Sequence, residues 1–452
     1  MDNKNIEKFY IDKMTLSGKS QSLNDFKKPV EFAGGIKGQK VFGKILRKGK
    51  SKAKGRIIEL IEKSPLETEK VCQNFGKCGG CLLLSVPYDE QIKLKEEMLR
   101  EHFLSMGHRE FADIKLLKSP ANLEYKNKME FTFGNKEKDG PMNLGLHQRG
   151  SFMNILSCAD CKLVDDDYRK ILEFTENYFK SENLTFYKAK AHTGYLRNLI
   201  IRKGFFTGEI LVNLVTTSGN HGLEKYAGKL KELKLTGKIT GIIHTENDNI
   251  SDTVTPEKVK LIDGRDYFYD YILDKKFKIS PFSFFQTNSQ GANALFKEVL
   301  GMIKDGYDEI YDLYSGTGTI AITLSSKAKK ITGIEIVQEA VLAAKENAKI
   351  NNAANTEFIC ADVNEALPEL NDNLPLIVLD PPRGGIPLKS LQKIISFNPE
   401  QILYISCNPK MLAKDLIMLK DNEYKVIKKS AVDMFPNTNH VECIALIQRV
   451  KS

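Results

Sequence analysis

From about residue 290 onward the chain alternates helical segments with short apolar, β-branched runs, and few folds accept that rhythm. The runs are Asp308–Leu313, Lys330–Glu335, one that ends in Ala361-Asp362, Leu376–Asp380 and Gln401–Ile405. Such strands between helices predict a doubly wound parallel sheet, α/β in class, covered on both faces. Ligands of such sheets bind in the crevice beyond the carboxyl ends of the strands, so the residues that follow each strand carry the information. The first strand runs into Tyr314-Ser315-Gly316-Thr317-Gly318-Thr319, where glycines let a nucleotide-like ligand approach the backbone. The second ends in Glu335, about twenty residues on, where an adenosine ribose would be held by its hydroxyls. The third delivers Asp362 and the fourth Asp380-Pro381-Pro382-Arg383. The fifth delivers Ser406-Cys407-Asn408-Pro409, with Pro409 suited to the first turn of the next helix. Any one of these could be a cap or a solvated turn; together they are better explained by one ligand.

A dinucleotide dehydrogenase is the obvious rival for a glycine-rich first turn. Here Ala321 stands where that fingerprint has its third glycine. An Asp-Pro-Pro turn and a strand-end cysteine have no part in hydride transfer, whereas S-adenosyl-L-methionine fits the set. Cys407, placed just before a helix, is expected to lie near N–H groups that favour a thiolate, the nucleophilic form.

The remainder of the 452 residues suggests further domains. Apolar and charged fractions are ordinary, no apolar run reaches the length of a membrane span, and Met1-Asp2-Asn3-Lys4 does not open a signal peptide. The expectation is a soluble cytoplasmic protein with no membrane partner. Residues 1–65 read as short strands joined by a basic hairpin, a small β-barrel that ends near Pro65. Residues 1–62 hold fifteen Lys/Arg against seven Asp/Glu, a net +8, and no acid lies between Lys37 and Arg56. That asymmetry points to a polyanion, most simply nucleic acid. Residues 66–285 read as a central α+β unit, in which Arg149, Arg197 and Arg202 are candidates to reach RNA.

Five of the eight cysteines (Cys72, Cys78, Cys81, Cys158 and Cys161) lie in the first half of the chain, at spacings that suggest metal before disulfides. A zinc site would join Cys78 and Cys81 to Cys158 and Cys161 and leave Cys72 idle. An iron–sulfur cluster would use Cys72, Cys78, Cys81 and one of the later pair. The spacing leaves both open.

The motifs occur together in a known order. The cysteines of 72–81, Phe285-Gln286-Thr287-Asn288, Asp312–Gly318, Asp380-Pro381-Pro382-Arg383, Ser406-Cys407-Asn408-Pro409 and His440-Val441-Glu442 make the chain resemble the bacterial RNA uracil-C5 methyltransferases over nearly its full length. The resemblance implies an N-terminal RNA-binding barrel, called TRAM, over 1–65. It implies a four-iron–four-sulfur (4Fe-4S) cluster in 66–285, held by Cys72, Cys78, Cys81 and Cys161, and a class I methyltransferase domain over 286–452. It assigns Gln286, Tyr314, Glu335 and Asp380, with Asp362 added, to S-adenosyl-L-methionine, Cys407 as nucleophile and Glu442 as base. It further implies a monomer acting on 23S rRNA in preference to tRNA. Two rivals remain: an amino methyltransferase on an RNA purine, which would use the Asp-Pro-Pro turn without a cysteine, and an RNA-binding factor whose catalysis is secondary.

Overall fold

The computed structural model describes residues 6–23, 28–68, 72–219, 221–251, 254–366 and 374–450. Its N-terminal part is a six-stranded sheet built from strands between Ile6–Tyr10 and Ala53–Glu62. Phe9, Ile11, Val30, Phe32, Val41 and Ala53 fill its small core. The long hairpin of Lys40–Lys48 and Ala53–Glu62 crosses that core where a Cβ on Gly43 or Gly55 would collide with the Phe32 ring, so both positions require glycine.

The central part is a seven-stranded sheet from Lys128–Asn135 to Lys258–Gly264, antiparallel except where Glu209–Thr216 pairs with Lys238–Glu246. Helix Asp166–Ser181, capped by the Asp165 side chain, lays Tyr168, Ile171, Leu172 and Phe179 on this sheet.

The C-terminal sheet positions the site. Its strands are β1 (Tyr307–Leu313), β2 (Ala328–Glu335), β3 (Thr356–Cys360), β4 (Leu376–Leu379), β5 (Gln401–Ser406), β6 (Tyr424–Val432) and β7 (Glu442–Arg449). They lie in the order β3-β2-β1-β4-β5-β7-β6, with β7 antiparallel to both neighbours. The first five are parallel, as the alternation predicts, so their carboxyl ends share one edge. An eighth strand, Leu116–Leu117, comes from the middle of the chain and pairs with β6. Helix α1 (Tyr88–Ser105), which precedes that strand in the chain, packs there too: Ile92, Leu99 and Phe103 share a core with Leu412, Leu416 and Tyr424. Residues 88–117 therefore pack with the C-terminal sheet although they lie within 66–285 in sequence. Among the described residues no helix is long and apolar enough to cross a membrane.

Candidate active site

At the end of β1 the chain turns sharply. Tyr314, Gly316 and Gly318 take φ of 66°, 54° and 78°, and a Cβ on Gly318 would lie 2.7 Å from the Phe358 ring. Glu335 holds this turn: its carboxylate accepts from Gly316 N–H at 3.0 Å and Val337 N–H at 2.9 Å. Asp312, fully buried on β1, accepts from Ala321 N–H at 3.0 Å through one oxygen and leaves the other without a partner. Burial and the nearby Asp380 push its carboxyl well above the usual range. The sequence reading did not single out Asp312 as a site residue; an acid between Tyr311 and Leu313, in the inner half of the strand, was the available signal. Asp362 accepts from Asn364 N–H at 2.7 Å and so starts the short helix after β3. Gln286 arrives from outside the sheet. Its carbonyl accepts from Asn127 Nδ2 at 2.8 Å, while Asn288 caps helix α2 (Ser289–Met302).

Cys407 sits one residue past β5, beneath helix α3 (Pro409–Asp421). Strand register brings the base candidate to it. Ser406 lies opposite Cys443, so one step further along Cys407 falls opposite Glu442, the first residue of β7. Asp380 and Arg383 come from the end of β4, and the Arg383 carbonyl accepts from Asn408 Nδ2 at 3.0 Å. The electrostatics differ from the expected thiolate. Burial, with Glu442 and Asp380 beside it, pushes the Cys407 thiol up to about 11, against the pull of Arg383. Two nearby carboxyls and desolvation outweigh the end of one helix. Burial and Asp380 push Glu442 up to about 8, and burial alone pushes Asp380 up to about 7. The protein's own groups thus favour protons on all three. A cation placed among them would reverse that preference.

Glu442 is carried by the connection from β6 to β7, residues 433–441, which distant parts of the chain hold at several points. Lys95 of α1, fully buried, donates to Asp433 at 2.7 Å, to the Phe435 carbonyl at 3.1 Å and to the His440 carbonyl at 3.3 Å. Tyr125 donates to the Pro436 carbonyl at 3.0 Å, and Asn439 Nδ2 donates to the Leu16 carbonyl at 2.8 Å. The sequence reading did not single out these residues, because their partners lie more than 300 residues away in the chain.

Cys72, Cys78, Cys81, Cys158 and Cys161 line a single recess. The Cys158 thiol donates to the Leu156 carbonyl at 3.3 Å. Burial, then the neighbouring thiols, push Cys81 up to about 12. Burial holds the Lys126 ammonium below its ordinary range, while Cys161, Cys81 and Cys78 act in the opposite sense. Also among the described residues, no three His, Cys, Asp or Glu side chains stand close enough to hold one metal ion.

The three arginines named as candidates to reach RNA bond within the chain. Arg202 donates to the carbonyls of Ser280 and Ser283, both at 2.8 Å, and thereby fixes the loop that leads to Gln286. Arg197 donates to the carbonyls of Asn247 and Asn249, and Arg149 to that of Cys81 at 2.8 Å. A planar fork of donors suits crowded loop carbonyls, and composition does not reveal that use.

Residues 243–450 match the family described as tRNA (Uracil-5-)-methyltransferase. An "Uncharacterized RNA methyltransferase" of Clostridium tetani is 45% identical over 417 residues, 92% of this chain and 91% of its own. A second, from Caldanaerobacter subterraneus subsp. tengcongensis, is 42% identical over 424 residues, 93% of this chain and 94% of its own. The crystal structure of Pyrococcus abyssi tRNA (uracil-54, C5)-methyltransferase in complex with S-adenosyl-L-homocysteine superposes with a TM-score of 0.78 at 25% identity, over 98% of this chain and 100% of that one. The chain belongs to the tRNA/RNA uracil-5-methyltransferase family.

Proposed function

We propose that this protein transfers a methyl group from S-adenosyl-L-methionine to C5 of a uridine in RNA, with Cys407 as nucleophile and Glu442 as base. The observation that carries the reading is the strand register that sets Glu442 opposite Cys407 at the sheet edge, beside Asp380. Uracil C5 is a poor nucleophile. Addition of the Cys407 thiolate at C6 moves electron density to C5, which can then take an electrophilic methyl group. Glu442 next removes the C5 proton, and the thiolate leaves from C6. The methyl donor supplies a sulfonium cation, the charge that would draw protons from Cys407, Asp380 and Glu442. Gln286, Tyr314, Glu335, Asp362 and Asp380 are the residues that would hold it. The target base must leave its stack to reach Cys407, which favours loops over duplex.

The substrate class is RNA, with 23S rRNA as the first expectation. A tRNA T-loop uridine is the second reading, favoured by the family description and by the neighbour named as acting on uracil-54 of tRNA. The N-terminal sheet serves as a TRAM-like RNA-binding barrel, and the protein works as a cytoplasmic monomer. The donor set of the recess fits a 4Fe-4S cluster on Cys72, Cys78, Cys81 and Cys161. Those four thiols line the recess together with Cys158, and thiolates there would favour the Lys126 ammonium against the burial that lowers it. Cys158 stays outside the ligand set, bonded to the Leu156 carbonyl.

The test incubates purified protein and labelled S-adenosyl-L-methionine with unmodified 23S rRNA or tRNA transcripts, then digests the RNA to nucleosides. Labelled 5-methyluridine from one RNA is expected, and its source names the substrate. A labelled purine would move the reading to an amino methyltransferase. RNA binding with no label in either transcript would favour an RNA-binding factor. Iron and the brown absorbance of a cluster should be lost together in Cys81→Ser; a colourless protein that carries zinc contradicts the cluster.

A further inference from the structure

The cysteine recess and Glu442 stand at the two ends of one hydrogen-bonded path. Directly after Cys81, the N–H groups of Leu82 and Leu83 both donate to the Asn437 carbonyl, at 2.8 and 3.0 Å. Asn437 has a φ of 67°, a left-handed conformation that asparagine accepts better than most residues. Gln91 of α1 locks it there. Its Oε1 accepts from Asn437 N–H at 2.9 Å, and its Nε2 donates to Asn437 Oδ1 at 3.0 Å. The same Gln91 amide donates to the carbonyls of Leu83 at 3.1 Å and Val86 at 2.9 Å, so one side chain closes both the segment after Cys81 and the connection that carries Glu442. Asn437 Nδ2 adds a bond to the Asn122 carbonyl at 2.6 Å. From Asn437 to Glu442 there is little slack. Thr438 Oγ1 donates to the Phe435 carbonyl at 2.7 Å and accepts from His440 N–H at 3.1 Å, and Lys95 holds the His440 carbonyl.

We infer that Asn437 is a positioning residue through which an ordered cysteine site sets Glu442 opposite Cys407. The inference rests on the reading of Glu442 as the base that removes the C5 proton. Cys407 itself is placed by β5 and by the bond between Asn408 and the Arg383 carbonyl, and the Arg383 side chain meets the connection at His440 Nδ1 only at 3.4 Å, the limit of a hydrogen bond. Disorder at the cysteine recess therefore acts on proton removal and spares thiolate addition at C6. Coupling of this kind is reciprocal, so disturbing Asn437 also loosens the segment after Cys81.

Two measurements test this. Hydrogen exchange is followed at 433–441 and at 78–83 in the wild type, Cys81→Ser, Asn437→Ala and Asn437→Gly. Covalent protein–RNA adduct is followed with uridine RNA and with 5-fluorouridine RNA, whose C5 fluorine no base can remove as a proton. Cys81→Ser should speed exchange at 433–441, and Asn437→Ala at both segments, by about tenfold, the scale of one or two broken hydrogen bonds. Both variants should accumulate adduct on uridine RNA while trapping 5-fluorouridine RNA at close to the wild-type rate. Asn437→Gly, which accepts the left-handed backbone and keeps the bonds to Leu82 and Leu83, should fall nearer wild type. Exchange at 433–441 that is unmoved in Cys81→Ser, or exchange at 78–83 unmoved in Asn437→Ala, overturns the coupling. Trapping that falls as far as turnover also overturns it, because the variant then loses the whole site. A wild type that never traps 5-fluorouridine RNA defeats the uridine reading instead, and the exchange comparison still decides the coupling.

Discussion

At the carboxyl edge of the C-terminal sheet, each functional group stands at the end of its own strand or within a few residues of it: Tyr314 after β1, Glu335 closing β2, Asp380 after β4, Cys407 after β5. In residues 433–441, by contrast, the chain is held by Lys95, Tyr125 and Leu16, the last of them 423 residues away in sequence. The two regions meet between Cys407 and Glu442. The edge brings its chemistry from local geometry, since a strand fixes the position of the residue that follows it. The connection has no such frame, and its precision is borrowed from long-range polar contacts. A nucleophile on the first kind of support and a base on the second can be perturbed separately.

The largest separation is expected at the reacting groups. Cys407→Ala should lower methyl transfer by roughly ten-thousand-fold or more and leave RNA affinity unchanged, as read by labelled methyl incorporation and a binding titration. Glu442→Gln should slow turnover by roughly 10²–10⁴-fold and leave adduct on the RNA, because only the second half of the reaction needs the base. If both substitutions instead removed adduct formation alike, the two supports would not act separately. The pH profile sharpens this point. Glu442 must be ionised to accept a proton and is pushed up to about 8, so breakdown of the adduct, the step that needs the base, should quicken as pH rises through that value. Glu442→Gln should lose that limb. The same raised carboxyl retains its proton in the folded chain after the unfolded chain has released it. Ligand-free stability should therefore fall as pH rises toward about 8, and denaturant titrations across that range would measure it.

A smaller effect tests the support itself. Lys95→Met leaves the Asp433 carboxylate buried and unpaired, with a cost of about 3–5 kcal/mol in stability. Adding Asp433→Leu should recover most of that stability in thermal unfolding without restoring turnover, since the bonds to the Phe435 and His440 carbonyls stay broken. The smallest effect lies in the N-terminal hairpin. Replacing Lys48, Lys50 and Lys54 with alanine should flatten the salt dependence of RNA binding, by about 0.7–0.9 in slope for each phosphate the hairpin no longer neutralises. Lys52 should contribute less, because it is already paired with Glu31 at 2.8 Å. An unchanged slope removes the hairpin from the interface.

The same contrast explains what could be read in advance. The succession of parallel strands, the glycine turn and the strand-end positions of Glu335 and Asp380 were legible because each depends on a few adjacent residues and on the period of the apolar pattern. The ionisation of Cys407 was not. It depends on Glu442 and Asp380, which arrive from other strands and outweigh the helix end that sequence alone supplies. The bonding of Arg149, Arg197 and Arg202 within the chain was invisible for a similar reason: their carbonyl partners lie in loops whose path the chain does not announce. Lys95 looked like one charge among many on α1, and only its partner Asp433, 338 residues away, explains why it can be buried.

The most direct measurement is peptide mapping of the protein after reaction with S-adenosyl-L-methionine and 5-fluorouridine-containing RNA. The account predicts one stable nucleotide adduct, carrying the transferred methyl group, on the peptide that contains Cys407. No adduct, or an adduct on another cysteine while the RNA is still methylated, would contradict it.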